Sequence, residues 1–288
     1  MRAYSFPASL FPLSIGILFS MPITDEEVYF LPFLIFSMLC LHGGTNLIND
    51  YVDYSKGLDG KHHPGASAFI DRKILQKGQV RKVALFLFGI AFLCALPLFY
   101  YGGIPVVILG SIGIMGGYFY TAPPVSYKYR ALGDIFVFLL MGVGPAAGVL
   151  FLFDSFQISS LFSVLPLAFY ITAILHGNNI RDARHDSQYG VHTFAQFLGP
   201  VKARWVFVME IFAAYAIVLF LYFYYGNIYI FLPYLTLPLA IRVAMTVLKS
   251  SDTDTTLMYI DKDVAKVYTL FSILYCTGIL FFTGPFLQ

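Results

Sequence analysis

Charge is what this chain has least of. Asp, Glu, Lys and Arg together make up 12% of its 288 residues, where soluble domains carry about a quarter. Hydrophobic residues reach 58% and the mean hydropathy is +0.74, so an ordinary soluble domain is excluded. Cysteine is scarce too. Cys40, Cys94 and Cys276 all sit inside apolar runs, and their spacing fits neither a disulfide framework nor a zinc site. They are read as packing residues. There is one Trp, but 30 Phe and 21 Tyr. The net charge of +2 forms no basic tract, and nothing points to nucleic acid. The opening lacks a basic region followed by a cleavable apolar core, so no signal peptide is read and the first helix is expected to act as a signal-anchor.

What is present is a series of apolar runs. They fall at about 6–22, 29–49, 83–101, 104–121, 133–153, 160–180, 203–225, 228–248 and 264–284. Each is near the length needed to cross a hydrocarbon layer of ~30 Å. The expectation is an all-α polytopic membrane protein with about nine transmembrane helices, forming a single domain over 1–288. The connections after the odd-numbered runs hold Asp25, Glu26, Glu27 and Asp154 and no Lys or Arg. Those after the even-numbered runs, with their flanks, hold nearly every basic residue. The positive-inside rule then puts the N-terminus and the even-numbered connections in the cytoplasm, with a plasma membrane as the expected location. The order of elements repeats. A polar patch at 46–59, two helices and a loop at 122–134 are matched by a patch at 178–186, two helices and a loop at 250–263. Two parallel repeats around a central cavity are expected, since paired repeats often frame a site in membrane proteins.

The two patches carry the chemistry. Asn46, Asn49, Asp50 and Asp53 are spaced i, i+3, i+4, i+7, and Asn178, Asp182 and Asp186 are spaced i, i+4, i+8. On helices each set shares one face. Both patches close a helix that runs inward, where negative charge is unfavourable by ~0.3–1 kcal/mol. Intramembrane carboxylates are costly and mark function. Two such faces turned together make an all-oxygen site suited to Mg²⁺ and a phosphorylated substrate. The bland alternative is helix-end carboxylates paired with nearby Lys and Arg.

Between the patches runs Tyr118-Phe119-Tyr120-Thr121-Ala122-Pro123-Pro124-Val125-Ser126-Tyr127-Lys128-Tyr129-Arg130. The Pro pair ends a helix. Lys128 and Arg130 suit diphosphate oxygens, and the Tyr rings favour nearby positive charge. An interfacial aromatic belt with snorkelling cations is the competing reading. The long connection at 54–82 is lid-like and offers Arg72 as a further diphosphate contact. Its His62-His63 pair is not read as a metal site. Glu210, near the middle of an apolar run, needs a partner or a proton.

Asn46–Asp53 with Gly57 and Asp59, together with Asn178–Asp186, resemble the two aspartate-rich motifs of the UbiA superfamily of intramembrane prenyltransferases. The form Asn-Asp-Tyr-x-Asp-x-x-x-Gly-x-Asp, the second motif Asn-Asn-Ile-Arg-Asp, Ser5-Phe6-Pro7-Ala8-Ser9 and Leu132-Gly133-Asp134 look most like the dihydroxynaphthoate polyprenyltransferase branch of menaquinone synthesis. The stretch His62-His63-Pro64-Gly65 departs from that branch. The resemblance implies transfer of a polyprenyl group from its diphosphate to an aromatic acceptor through an allylic cation. It implies Mg²⁺ on Asp50, Asp53, Asp182 and Asp186, with support from Asn46, Asn49 and Asn178. It also implies diphosphate contacts from Arg72, Lys128, Arg130 and Arg181, and shielding of the cation by Tyr118 and Tyr127. Hydroxybenzoate, homogentisate, haem, chlorophyllide or a glycerol-phosphate lipid remain alternative acceptors. A secondary transporter shares the helix count and the buried Glu210. It fits less well, because transporter sites lie nearer the midplane than two Asp/Asn clusters at one membrane face.

Overall fold

The computed structural model describes residues 5–58, 70, 74–251 and 255–283. The sequence dictates helix throughout, because backbone polar groups in a bilayer must be satisfied within the segment. Helix α1 (Pro7–Phe19) and α2 (Leu31–Ser55) both place a proline in their first turn, where its missing N–H costs nothing. Between them Thr24 and Glu27 form a capping box on the short helix Asp25–Val28.

Helix α3 (Lys77–Phe119) carries Pro97 and Pro105 and has non-helical backbone at Gly103, whose φ of 64° and ψ of −157° are open to glycine alone. The chain folds back there. A Cβ added to Gly110 would lie 2.4 Å from Phe99, although a straight helix would hold those residues about 16 Å apart. Phe88 and Tyr118, thirty positions apart, likewise stack edge to face at 5.9 Å. The apolar runs 83–101 and 104–121 are therefore two antiparallel crossings joined at Gly102-Gly103.

Helix α4 (Gly133–Leu152) contains a π-helical stretch over Phe138–Val143. Helices α5 (Leu165–Ser187), α6 (Pro200–Tyr225), α7 (Leu237–Lys249, led in by the 3-10 turns of Ile228–Thr236) and α8 (Ile260–Thr283) complete the order. Seven helices are long and apolar enough to span a membrane. Among the described residues each of the nine apolar runs falls on helix, because α3 supplies two crossings and α1 is a shorter apolar helix. The chain is an all-α, multi-pass membrane protein.

Helix α2 lies along α3, α5 packs between α6 and α8, and α1 bridges α4 and α8. Close packing rather than water exclusion holds such helices together. At Gly142 an added Cβ would sit 2.4 Å from that of Ala168, so α4 and α5 touch backbone to backbone. The core around Tyr170, Phe207, Tyr215, Tyr268 and Phe271 is buried, and its phenols are satisfied internally, with Tyr170 and Tyr215 3.1 Å apart. Phe86, Leu93, Tyr100, Phe220 and Phe223 point outward, as a lipid-facing surface requires.

Candidate active site

Helices α2 and α5 each carry their acidic residues in their last three turns, as the sequence spacing predicts. These ends border one cavity with about 1520 Å³ of empty space, its open mouth included. Asn46, Asn49 and Asp53 face it from α2, and Asn178, Arg181, Asp182 and Asp186 from α5. Deeper in, Leu140 and Met141 of the π-helical stretch, with Val137, Ile171, Ile174 and Leu175, make the wall apolar. The cavity is thus polar and charged at one end and greasy along its length.

Each acidic face is braced by a cation. Lys128 Nζ donates to Asn49 Oδ1 at 2.8 Å and to Asp53 Oδ2 at 2.7 Å. Tyr129 donates its phenolic proton to the other Asp53 oxygen at 2.5 Å, and the Lys56 ammonium sits 3.5 Å from the Tyr129 ring centre. Across the cavity Arg181 meets Asp182 with two hydrogen bonds of 2.7 and 2.6 Å, and reaches Asp261 of α8 at 2.9 Å. Such forked contacts fix geometry as well as charge. Asp186 lies within electrostatic range of Asp182, Asp53 and Lys128.

The loop that delivers Lys128 is rigid for identifiable reasons. Lys128 N–H bonds to Tyr120 O at 2.9 Å, and Ser126 Oγ caps Thr121 O at 2.9 Å. Ser126 and Ala131 hold left-handed backbone at φ 45° and 57°, a strained conformation that persists only when its surroundings impose it. They do: Ala131 N–H bonds to His192 O at 2.7 Å, and His192 N–H to Tyr129 O at 3.3 Å. This makes a single parallel bridge between Arg130 and His192. Tyr127 lines the cavity and donates to Gly116 O at 2.7 Å. Burial, with Tyr120 alongside, pushes its phenol well above the usual range, so it remains a neutral hydroxyl.

Other expected residues lie elsewhere. Asp50 is 4% exposed and is not among the residues facing the cavity. Tyr118 packs on Phe88 and Phe119 behind the wall, and Tyr120 takes the cavity position. Arg130 is exposed and donates to Pro124 O at 3.1 Å, away from the acidic faces. Arg72, like Asp59, His62 and His63, lies outside the described residues. His185 donates to Leu58 O at 2.8 Å rather than facing the carboxylates.

Sequence reasoning missed Tyr129, His42 and a buried network below the second patch. His42 faces the cavity one turn before Asn46, and extending the i, i+4 stripe backwards finds it. In the network, His176 Nδ1 bonds to Asp134, and Asn179 Nδ2 donates to the other Asp134 oxygen at 2.9 Å. His176 Nε2 meets Ala203 O at 3.1 Å, and Glu210 stands 3.8 Å from Nδ1. Glu210 therefore has its partner. Among the described residues Asp134, His176 and Glu210 are the tight ligating group, within 4.8 Å of one another. Asp53, Asp182 and Asp186 are not gathered so closely.

Does the donor set facing the cavity fit a hard cation? Asn49, Asp53, Asn178, Asp182 and Asp186 offer oxygen only, as Mg²⁺ prefers. Asn178 Oδ1 is also buried without a hydrogen-bond partner, an orphaned acceptor of the kind that usually has an explanation. The set fits.

Fold and site together define a multi-pass helical membrane protein with a cavity that is charged at its mouth and apolar along its depth. The family model described as "UbiA prenyltransferase family" matches residues 9–259. This chain belongs to that family and is a prenyltransferase. UbiA prenyltransferase domain-containing protein 1 of Mus musculus is 34% identical over 250 residues, covering 83% of this chain and 72% of the relative. The Drosophila melanogaster homologue is 29% identical over 290 residues, covering 96% and 76%. Among solved structures, a UbiA homologue from Aeropyrum pernix K1 aligns with a TM-score of 0.70 at 14% identity, covering 98% of both chains. One from Archaeoglobus fulgidus, bound to GPP and Mg²⁺, aligns at 0.62 and 13% identity, covering 96% and 97%. At these identities the likeness is one of fold.

Proposed function

We propose that this chain transfers a polyprenyl group from its diphosphate to an aromatic acceptor, dihydroxynaphthoate, with the cavity mouth on the cytoplasmic face of a plasma membrane and 1–288 acting as one domain. The carrying observation is the cavity itself: carboxylates from two helix ends meet Lys128 and Arg181 at its mouth, and an apolar channel runs away from them. That polarity matches a charged head with a long hydrocarbon tail. The Archaeoglobus fulgidus neighbour bound to GPP and Mg²⁺ supports the same substrate class.

Asp53, Asp182 and Asp186, with Asn49 and Asn178, would hold Mg²⁺, which would supply Lewis-acid neutralisation of the leaving diphosphate. Asp50, buried on the same helix end, adds negative charge to that set. Lys128 lies at the mouth with its ammonium already in place and meets diphosphate oxygens as charge develops on them. Arg181 keeps Asp182 oriented through its fork. The allylic C–O bond breaks, and the electron-rich faces of Tyr120 and Tyr127 flank the cation. The acceptor ring attacks, its carboxylate departs as carbon dioxide, and the apolar wall excludes the water that would otherwise capture the cation.

The test uses protein in lipid with Mg²⁺, geranylgeranyl diphosphate and a panel of acceptors, read by mass spectrometry. Prenylated, decarboxylated naphthoate that is absent with Asp182→Ala is the expected product. Product from a different acceptor alone would replace the naphthoate. Intact diphosphate with every acceptor, in folded protein, would remove the reading.

A further inference from the structure

The cavity holds a second polar group that the diphosphate chemistry does not use. His42, 6% exposed, faces it one turn before Asn46, about 6 Å along α2 from Asn46 and about 16 Å from Asp53 at the charged mouth. Both ring nitrogens are engaged by hydroxyls. Ser9 Oγ bonds to Nδ1 and Ser5 Oγ lies 2.9 Å from Nε2. Asn46 Nδ2 donates to Ser5 Oγ at 3.3 Å, which ties the cluster to the acidic face. Ser5, Ser9 and His42 all line the cavity.

Polar side chains buried in an apolar wall are costly unless they meet a partner. The three are bonded to one another, yet they line a cavity in which a hydrocarbon tail would offer them nothing, and the diphosphate belongs with Lys128. The remaining polar reactant is the acceptor. We propose that Ser5, His42 and Ser9 form the acceptor subsite, binding an oxygen substituent on the aromatic ring; the inference rests on the prenyl-transfer reading above.

The chemistry of the trio suits that task. A neutral imidazole has one N–H and one lone pair. One serine therefore accepts from the ring and the other donates to it, and a shift of tautomer exchanges the two roles. The same three residues can thus accept from a phenolic O–H or donate to a ring carbonyl. Tyr120 and Tyr127, with ring centres 5.4 Å apart, and Phe136, 4.4 Å from Tyr127, put flat faces on the same cavity. At Gly117 the wall closes on α2, where an added Cβ would lie 2.5 Å from Thr45 Oγ1. Aromatic faces of this kind suit a planar ring. A purely structural alternative makes the serines a staple between α1 and α2, and the two readings differ in what the variants lose.

The experiment uses the full chain in lipid and two probes, dihydroxynaphthoate and its dimethyl ether, titrated against thermal unfolding. Geranylgeranyl diphosphate with Mg²⁺ is titrated separately. Wild type is expected to bind the free phenol about fivefold to tenfold more tightly than the ether, the worth of a hydrogen bond to a neutral group. Ser9→Ala is expected to abolish that difference while its response to the diphosphate matches wild type. If Ser9→Ala loses the diphosphate response and so is not properly folded, His42→Gln takes its place with the same expectation. A discrimination that survives in the folded variant, or is absent from wild type, overturns the subsite. Loss of the Mg²⁺-dependent diphosphate response in wild type is a separate result and counts against the prenyl-transfer reading instead.

Discussion

Asp53 is held by an ammonium and a phenol at once, and removing it leaves both aimed at nothing. Asp53→Ala and Asp182→Ala are each expected to lower kcat/KM at least ~100-fold, the cost of losing a main electrostatic stabiliser. Near-normal turnover by either folded variant would be incompatible with the proposed mouth. Asp50→Ala is expected to fall as far, through the charge it lends Asn49 and Asp53. Lys128→Met removes charge while keeping most of the stem. It should raise the KM for the prenyl diphosphate about tenfold or more, as loss of a hydrogen bond to a charged group does, and leave the acceptor KM alone. Steady-state kinetics with each substrate varied in turn separates the two. The acidic faces were legible in the sequence because helical spacing is a local property, and Asn49, Asp53, Asp182 and Asp186 need only 3.6 residues per turn to align. Tyr129 and the choice of Tyr120 over Tyr118 were not legible. They depend on how the loop at 120–132 is wound, with two left-handed residues that no local pattern signals.

Helix α5 is held by polar contacts with α4 and α6. Asp134 at the start of α4 holds both His176 and Asn179, the residues that flank Asn178 in register. Asp134→Ala leaves two buried donors unsatisfied, at about 1–3 kcal/mol each. Its thermal midpoint in detergent should fall clearly, and activity should fall with it because the second patch loses its anchor. An unchanged midpoint would mean that the network is not a support. Gly142→Val tests the neighbouring contact, where the new side chain meets Ala168; overpacking of about 1–3 kcal/mol is expected, read by the same melting curve. Glu210 illustrates what sequence can and cannot give. Its depth in an apolar run says that it needs a partner, but the identity of that partner, His176, follows from how α5 and α6 are rotated against each other. The nine runs were legible because crossing length is set by the bilayer. The break at Gly102-Gly103-Ile104-Pro105 separates two of those runs in the sequence, but that the chain would fold back there at one residue, Gly103 with its φ of 64°, was not legible, since the same pair also suits a longer connection.

For the molecule as a whole, the site belongs to no single segment. Carboxylates come from α2 and α5, the lysine from the connection between α3 and α4, and a supporting Asp261 from α8. Ligand binding should therefore stabilise the entire bundle. With Mg²⁺ and prenyl diphosphate together at 100 times the dissociation constant, about 2.7 kcal/mol of stabilisation is expected, and a chelator should remove it along with activity. A thermal midpoint indifferent to the pair would argue against binding at this cavity.

The bridge between Arg130 and His192 has a consequence in genetic terms. It joins a loop of the N-terminal half to a loop of the C-terminal half, directly beside the reacting groups. A gene split at the exposed turn around Asp154 would yield two fragments, each with one acidic patch and no reaction of its own. Produced together in one membrane, they should find each other through that seam, and growth that requires the product would return only in cells carrying both pieces.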